Sequence, residues 1–411
     1  MSDNSSASDS ELEGIFHDVP ICPFDPNVHE LDADFRLTRF GDLNERSKKT
    51  PKELLTKLMM NIAPREELEA GGEEVEPVPA SQQQQQQQQQ PLVSGFDISN
   101  HGSDVTLKNP LLNDLHLVKT TDFVYPLIDD PYLMGKIACA NVLGDLYAKG
   151  VVACDNMLML LAVSTLMSEK ERDTIVPMMM RGFKDCAVKA GAHVTGGQSV
   201  VNRWCIIGGV ATSVCENIEI IGPGNAVPGD VLLLTKPLGT HVALNVHKWM
   251  VSEDRKWKHL KNSYAKEDIA KAHDIAVRSM CRLNRTAAQL MHKYGAHGAT
   301  VIAEYGLVGD AEALAARQQM EVSFSIYNMP VIEKMASVAS SCRDVFQLMR
   351  GRAPEHSGGL LICLPREEAT AFCKEVIELE GPSARAYIIG IVEKGDRTVN
   401  LIKPRVIDAK I

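Results

Sequence analysis

The chain has 411 residues, too many for one ordinary hydrophobic core, and its length asks for two or three domains. A composition of 45% hydrophobic and 23% charged residues is that of a globular protein, and a net charge of −10 argues against a surface that tracks nucleic-acid phosphates. No apolar run approaches the ~20 residues that cross a bilayer, and the polar, acidic start MSDNSSASDSELEG has no leader-like pattern, so the expectation is a cytoplasmic protein without membrane or nucleic-acid partners.

Residues 1–30 are rich in Ser, Asp and Glu and read as a disordered tail. Phe35 to Phe40 (FRLTRF) alternates like a strand, and Thr50-Pro51 opens a helix through Met60. An acidic, Pro-containing stretch and then nine glutamines at 82–90 make a low-complexity linker. From there the chain reads as globular to its end. His116 to Asp122 predicts a strand, Asp130-Pro131 a helix start running to Lys149, and Asn156 to Val163 a buried strand. Ser168-x-x-Glu171 is a capping box for a helix to about Ala190. A strand at His193-Val194 leads into a turn at Thr195-Gly196-Gly197-Gln198-Ser199, and Cys205 to Val214 is a further strand.

Pro228-Gly229-Asp230 marks a turn into a second unit. The pattern there predicts a strand at Val231 to Thr235, a helix after Thr240, a long helix from Glu267 to His292 and a strand from Glu321 to Ile326. A strand at Leu360 to Cys363, a helix at Glu367 to Glu378 and a strand at Tyr387 to Val392 complete it. Alternating strands and helices in both halves give an α/β or α+β fold. The ten cysteines form no CxxC and read as reduced core thiols.

Three features could carry chemistry. Asp122 ends a strand, where α/β proteins bind ligands, and Asn141 and Asp145 lie at i and i+4 on one face of an apolar helix. A half-buried carboxylate needs a cation or strong donors, and Mg2+ with substrate phosphates suits it; a capping or surface aspartate has the same spacing. Gly196-Gly197 and Ser357-Gly358-Gly359 would let backbone N–H groups approach a phosphate, though plain turns use the same residues. Lys49 stands ahead of a helix as either a phosphate-reaching or a solvated lysine.

In order along the chain, these features resemble the selenophosphate synthetase (selenide, water dikinase) family, in particular the animal paralogues without the reactive cysteine or selenocysteine. The matching segments include FRLTRF, TTDFVYPLIDDPYLMGKIACANVLGDLYAKGV, VTGGQSVVN, AVPGDVLLLTKPLGT, SGGLLICLPRE and IIGIVEKG. The resemblance implies a two-domain fold like that of aminoimidazole ribonucleotide synthetase, two chains pairing through their N-terminal sheets, and synthesis of selenophosphate from selenide and ATP. It divides the chain into an arm with a degenerate catalytic loop at 31–63, the linker at 64–99, an ATP-binding domain at 100–226 and a C-terminal domain at 227–411. Carried over by position, it makes Lys49 catalytic and ATP-contacting. Gly102, Ser103 and Asp104 become a nucleotide and magnesium segment, Asp122 and Asp145 further magnesium carboxylates, and Gly196, Gly197, Gln198 and Ser199 a nucleotide-contacting turn. The partners implied are ATP and a second chain, identical or related.

Two departures stand against full activity. Arg46 takes the nucleophile position, and a guanidinium is not a nucleophile. The family motif Asp-x-Thr-Gly-Phe-Gly reads Val301-Ile302-Ala303-Glu304-Tyr305-Gly306, so Val301 replaces a magnesium-binding aspartate. His356 before Ser357 is a smaller change. The expectation is a magnesium- and ATP-binding protein with weak or absent selenophosphate synthesis. The competing readings are a kinase or ATPase acting on another acceptor, and a non-catalytic dimerising scaffold.

Overall fold

The structure, a computed structural model, describes residues 24–41, 102–106, 115–343 and 345–409. Its first unit runs β1 (Gly102–Thr106), β2 (Leu115–Val124), α1 (Pro131–Ala148), β3 (Asn156–Ser164), α2 (Glu169–Lys189), β4 (Val194–Asn202) and β5 (Ile206–Glu216). The five strands lie in the order β1-β2-β5-β3-β4, antiparallel except for β3 and β4. The second unit runs β6 (Val231–Leu234), α3 (Thr240–Val251), α4 (Arg255–Leu260), α5 (Lys266–Cys281), α6 (Arg285–Lys293), β7 (Gly298–Val301), α7 (Gly306–Ala316) and β8 (Val322–Ile332). It continues through α8 (Met335–Ser341), β9 (Leu360–Leu364), α9 (Ala369–Glu380), β10 (Tyr387–Lys394) and β11 (Val399–Ala409). Its sheet has the order β11-β8-β10-β6-β9-β7, and only β11 and β8 are parallel. Two mixed sheets with helices packed on them make the α+β form of the expected fold class.

Local chemistry sets the helix starts. The Asp130 carboxylate accepts from Leu133 N at 2.8 Å, with Pro131 in the first turn of α1, and Ser168 and Glu171 form the reciprocal box that opens α2. Helix α1 is buried on nearly all sides. It packs on α2 and its own sheet, and on α5 and β7 of the second unit, which is why its sequence lacks a polar stripe. Cys139, Cys186, Cys205 and Cys363 are buried free thiols. Among the described residues no helix is long and apolar enough to cross a membrane.

Three expectations change. Phe35 to Phe40 is not a strand: Leu37–Phe40 form a 3-10 turn. Phe35, Leu37 and Phe40 are buried, Thr38 binds Asp129, and Arg39 pairs with Glu171, so side-chain anchoring rather than ladder pairing fixes this segment. The long helix from Glu267 to His292 is broken. Arg282 turns extended (ψ 128°), and buried Asn284 bonds Thr235 and Gly358, contacts that an unbroken helix would not supply. Gly196 to Ser199 is strand β4, not a turn. Gly197 (φ 153°) lies so close to β3 that a β-carbon there would sit 1.9 Å from the Met159 carbonyl oxygen. The helix expected at 51–60 and the linker lie outside the described residues.

Candidate functional site

The site is built where the two units meet. Even-numbered positions of β2 face α1, so the sheet alternation that buries Val118 and Thr120 also turns Asp122 toward that helix. Asn141 Nδ2 donates to Asp122 Oδ2 at 2.7 Å, and the backbone N–H of Phe123 donates to Oδ1 at 2.7 Å. The other end of the Asn141 amide, Oδ1, accepts from the backbone N–H of Ser357 at 3.0 Å. One amide therefore ties a first-unit carboxylate to a second-unit turn. Asp145, half-buried, follows one helical turn after Asn141 on the same face.

Val301 sits against this turn of α1: a β-carbon at Gly144 would meet its Cγ2 at 3.4 Å. The side chain in the expected carboxylate position is thus an apolar wedge beside the residue before Asp145. Among the described residues no group of three or more His, Cys, Asp or Glu side chains forms a metal cage. Two carboxylates beside an amide are nevertheless a hard-oxygen donor set, which fits magnesium when substrate phosphates complete its shell.

The remaining expected residues lie along the first sheet. Asp104 pairs with Val118 and Gly102 with Thr120, which puts Asp104 in register about 13 Å along β2 from Asp122. Asp122, Gly209, Met159 and Gly197 form one row across the sheet. Gly196, Gly197, Gln198 and Ser199 are therefore on the far edge strand, about 14 Å from Asp122 at three strand spacings. Lys49 and Arg46 lie outside the described residues.

The Ser357 turn was singled out by sequence, but the buried Lys236, His241, Asn245 and Glu355 around it were not. Ser357 has a left-handed φ of 44°, and its turn is pinned on three sides. Its hydroxyl donates to Met280 O at 2.7 Å, its carbonyl accepts from Lys236 Nζ at 2.8 Å, and its N–H binds Asn141. A β-carbon at Gly358 would lie 2.0 Å from the Ile302 carbonyl oxygen, so glycine is required there for close packing rather than for phosphate approach. Lys236 is buried, and burial, reinforced by the Arg282 cation, pushes its pKa down to about 7. Its two bonds, to Ser357 O and to Arg282 O at 2.7 Å, match the two N–H donors of a neutral amine.

Beside Ser357 runs a buried polar row. Glu304 Oε1 is 3.3 Å from His356 Nδ1, His356 Nε2 is 3.0 Å from His241 Nδ1, and His241 Nε2 is 3.3 Å from Asn245 Nδ2. Glu355 is buried next to it and accepts from the N–H groups of Gly239 and Thr240 at 2.6 and 2.9 Å; burial pushes its pKa up to about 7. Asp310, on α7 and also buried, has Oδ2 engaged by Ala303 N at 2.6 Å.

Residues 106–215 match the AIR synthase related protein N-terminal domain and residues 227–402 its C-terminal domain. Selenide, water dikinase 3 of Danio rerio is 46% identical over 96% of this chain and 90% of its own length. Selenide, water dikinase 2 of Homo sapiens is 47% identical over 94% of this chain and 87% of its own. The chain belongs to the selenide, water dikinase family.

Solved structures agree on the fold at much lower identity. A thiamine-monophosphate kinase from Stenotrophomonas maltophilia superposes with a TM-score of 0.55 at 16% identity, over 72% of this chain and 87% of its own. A relative of that kinase, described as complexed with AMPPCP and TMP, gives 0.53 at 17% identity over 79% and 93%. Family membership accounts for the two-unit architecture, in which the strand end bearing Asp122 meets α1 and the second-unit turn at Ser357.

Proposed function

We propose that this selenide, water dikinase family member binds a magnesium nucleotide at the junction of its two units and synthesises selenophosphate weakly or not at all. Magnesium ions would be held by Asp122 and Asp145 at the junction and, about 13 Å along the sheet, separately by Asp104, and ATP by Gly102, Ser103 and Lys49 with Gly196, Gly197, Gln198 and Ser199. The observation that carries the reading is the Asn141 bridge, which fixes Asp122 at a strand end against the second unit. When bound, magnesium supplies charge neutralisation for the triphosphate. The chain's own contribution is orientation: Asn141 and the Phe123 N–H fix the Asp122 carboxylate, and the pinned Ser357 turn closes one side. The ATP-complexed hydrogenase maturation protein HypE, with a TM-score of 0.50, supports ATP as the ligand.

Loss of synthesis rests on Arg46 in place of a nucleophile and Val301 in place of a carboxylate. The second chain is proposed on the bare face of the first sheet. Phe123, Leu158 and Val214 share the face opposite α1 and are exposed. That arrangement suits a partner sheet in a soluble, cytoplasmic dimer, and a second chain could also bring its own Gly196–Ser199 edge to the site.

Calorimetry with a nonhydrolysable ATP analogue, with and without magnesium, tests the reading. Magnesium-dependent binding lost in Asp122→Ala and Asp145→Ala is expected. No heat at millimolar ligand would leave a scaffold, and selenophosphate formed at a rate abolished by Asp145→Ala would overturn the loss of synthesis.

A further inference from the structure

The row Glu304–His356–His241–Asn245 is made of side chains that a purely structural junction does not need. Three are more than nine-tenths buried, and burying polar groups is costly unless each finds a partner. Here the partners agree in direction. The Asn245 amide nitrogen, oriented by its bond to His241 O at 3.0 Å, can only donate, so His241 Nε2 accepts. His241 Nδ1–H then donates to His356 Nε2, and His356 Nδ1–H donates to Glu304. Each donor in this pattern meets an acceptor, and the row ends on a carboxylate.

That carboxylate is the end of the row that reaches solvent, with 16% of its side chain exposed. It lies three residues after Val301, at the C-terminal end of β7, where Val301 packs on α1 beside Asp145. Its loop is joined to the Ser357 turn by the bonds Glu355 N to Ala303 O (2.9 Å) and Ile302 N to Gly359 O (2.9 Å). Ser357 in turn contacts Asn141 and through it Asp122. The chain has thus lost one carboxylate at 301 and presents another at 304 with an imidazole behind it.

We propose that Glu304 is the acid–base group of this site, taking the proton from a water that attacks the terminal phosphoryl group of the bound nucleotide, with His356 and His241 as its positioning residues. This rests on the nucleotide-binding reading above. In the step, a water O–H bond breaks and its proton moves to the Glu304 carboxylate. The water oxygen bonds to the terminal phosphorus, and the bond from phosphorus to the bridging oxygen breaks. Its electron pair stays on the leaving nucleoside diphosphate, and inorganic phosphate forms. The proton leaves to solvent from the exposed end of the row. Groups that face the row from neighbouring elements include Glu355 on the same loop, Thr240 at the start of α3, and Phe346 edge-on to His241.

The test is phosphate release from ATP with magnesium, in single turnover, across pH, alongside calorimetry with the nonhydrolysable analogue. The wild type should hydrolyse ATP with an acid limb in its rate. Glu304→Gln should bind the analogue within about twofold of wild type and hydrolyse at least about 100-fold more slowly, the lower range for general acid–base catalysis. Glu304→Asp should recover part of the rate, His356→Gln should move the acid limb, and Glu355→Gln should leave it in place. A Glu304→Gln variant that binds and hydrolyses like wild type overturns the proposal, as does a wild type that binds the analogue without releasing phosphate. If Glu304→Gln does not fold, the wild type decides: a solvent deuterium effect on the single-turnover rate is expected, and an identical rate in heavy water overturns the assignment. A wild type that binds no nucleotide overturns the underlying reading as well.

Discussion

Asn141 accepts the backbone N–H of Ser357 at 3.0 Å while donating to Asp122 at 2.7 Å, so a single amide couples the carboxylate of one unit to the turn of the other. The amide performs both roles because it carries a donor and an acceptor at fixed separation. Asn141→Leu keeps the volume and strands the Ser357 N–H at a part-buried site. The expected cost is about 1–3 kcal/mol, the usual penalty for a buried donor without a partner. Urea denaturation of wild type and variant measures it. A loss below a few tenths of a kcal/mol would mean that the bridge contributes little to the junction.

Val301→Asp combined with Glu304→Gly restores the family pattern at positions 301 and 304. The new carboxylate would stand against α1 beside Asp145, where Val301 now packs on Gly144. Magnesium-dependent affinity for the ATP analogue should rise about tenfold, equivalent to ~1.4 kcal/mol. If Glu304 is the proton acceptor, the same double variant should bind more tightly and release less phosphate. An unchanged dissociation constant would show that the second unit's contribution was lost elsewhere.

Much of the fold was legible because its signals are local. The Ser168 and Glu171 box and the Asp130-Pro131 start act through contacts within one helical turn, and both helices begin where expected. What misled was decided at a distance. Nothing near Asn284 shows that its side chain will bond Thr235 and Gly358, 49 and 74 residues away, and break the long helix. Gly196-Gly197 looks like a turn in isolation, and only the nearness of β3 makes it strand. The site divides in the same way. Spacing on one helix face picked out Asn141 and Asp145, whereas Lys236 meets Ser357 and His241 meets His356 only through tertiary packing, across more than 100 residues of chain.

Lys236 provides a pH test of the junction. Its ordinary value of 10.5 falls to about 7 in the folded chain. Between those values the unfolded chain binds a proton that the folded chain does not, so this lysine makes stability rise with pH across the window from 7 to 10.5. Below pH 7 both states are protonated and its contribution is flat. The slope is on the order of 1.4 kcal/mol per pH unit. Lys236→Met keeps the volume and removes the titration. Urea denaturation at pH 7.5 and 9.5 should show the stability difference between wild type and variant moving in favour of wild type by about 2–3 kcal/mol. Parallel curves would mean that the amine is charged when folded.

The bare face of the first sheet gives the last prediction. On β5, Val214 points away from α1, because its neighbours Ser213 and Cys215 are buried on the helix side. Leu158 pairs with Val210 and Phe123 with Gly208, so all three apolar side chains lie on one face, and Phe123 is 55% exposed. Helices cover the opposite face, and a solvated sheet face would normally alternate to polar residues. If a second chain covers this surface, Leu158→Lys with Val214→Lys buries two charges in the interface and leaves each unit's own core untouched. Sedimentation equilibrium should then show association weakened by at least about 100-fold, or ~2.8 kcal/mol. Thermal unfolding of the isolated variant chain should remain cooperative. An unchanged association constant would mean that the chains meet through another surface, and that the Gly196–Ser199 edge of a second chain is not delivered to the site by this face.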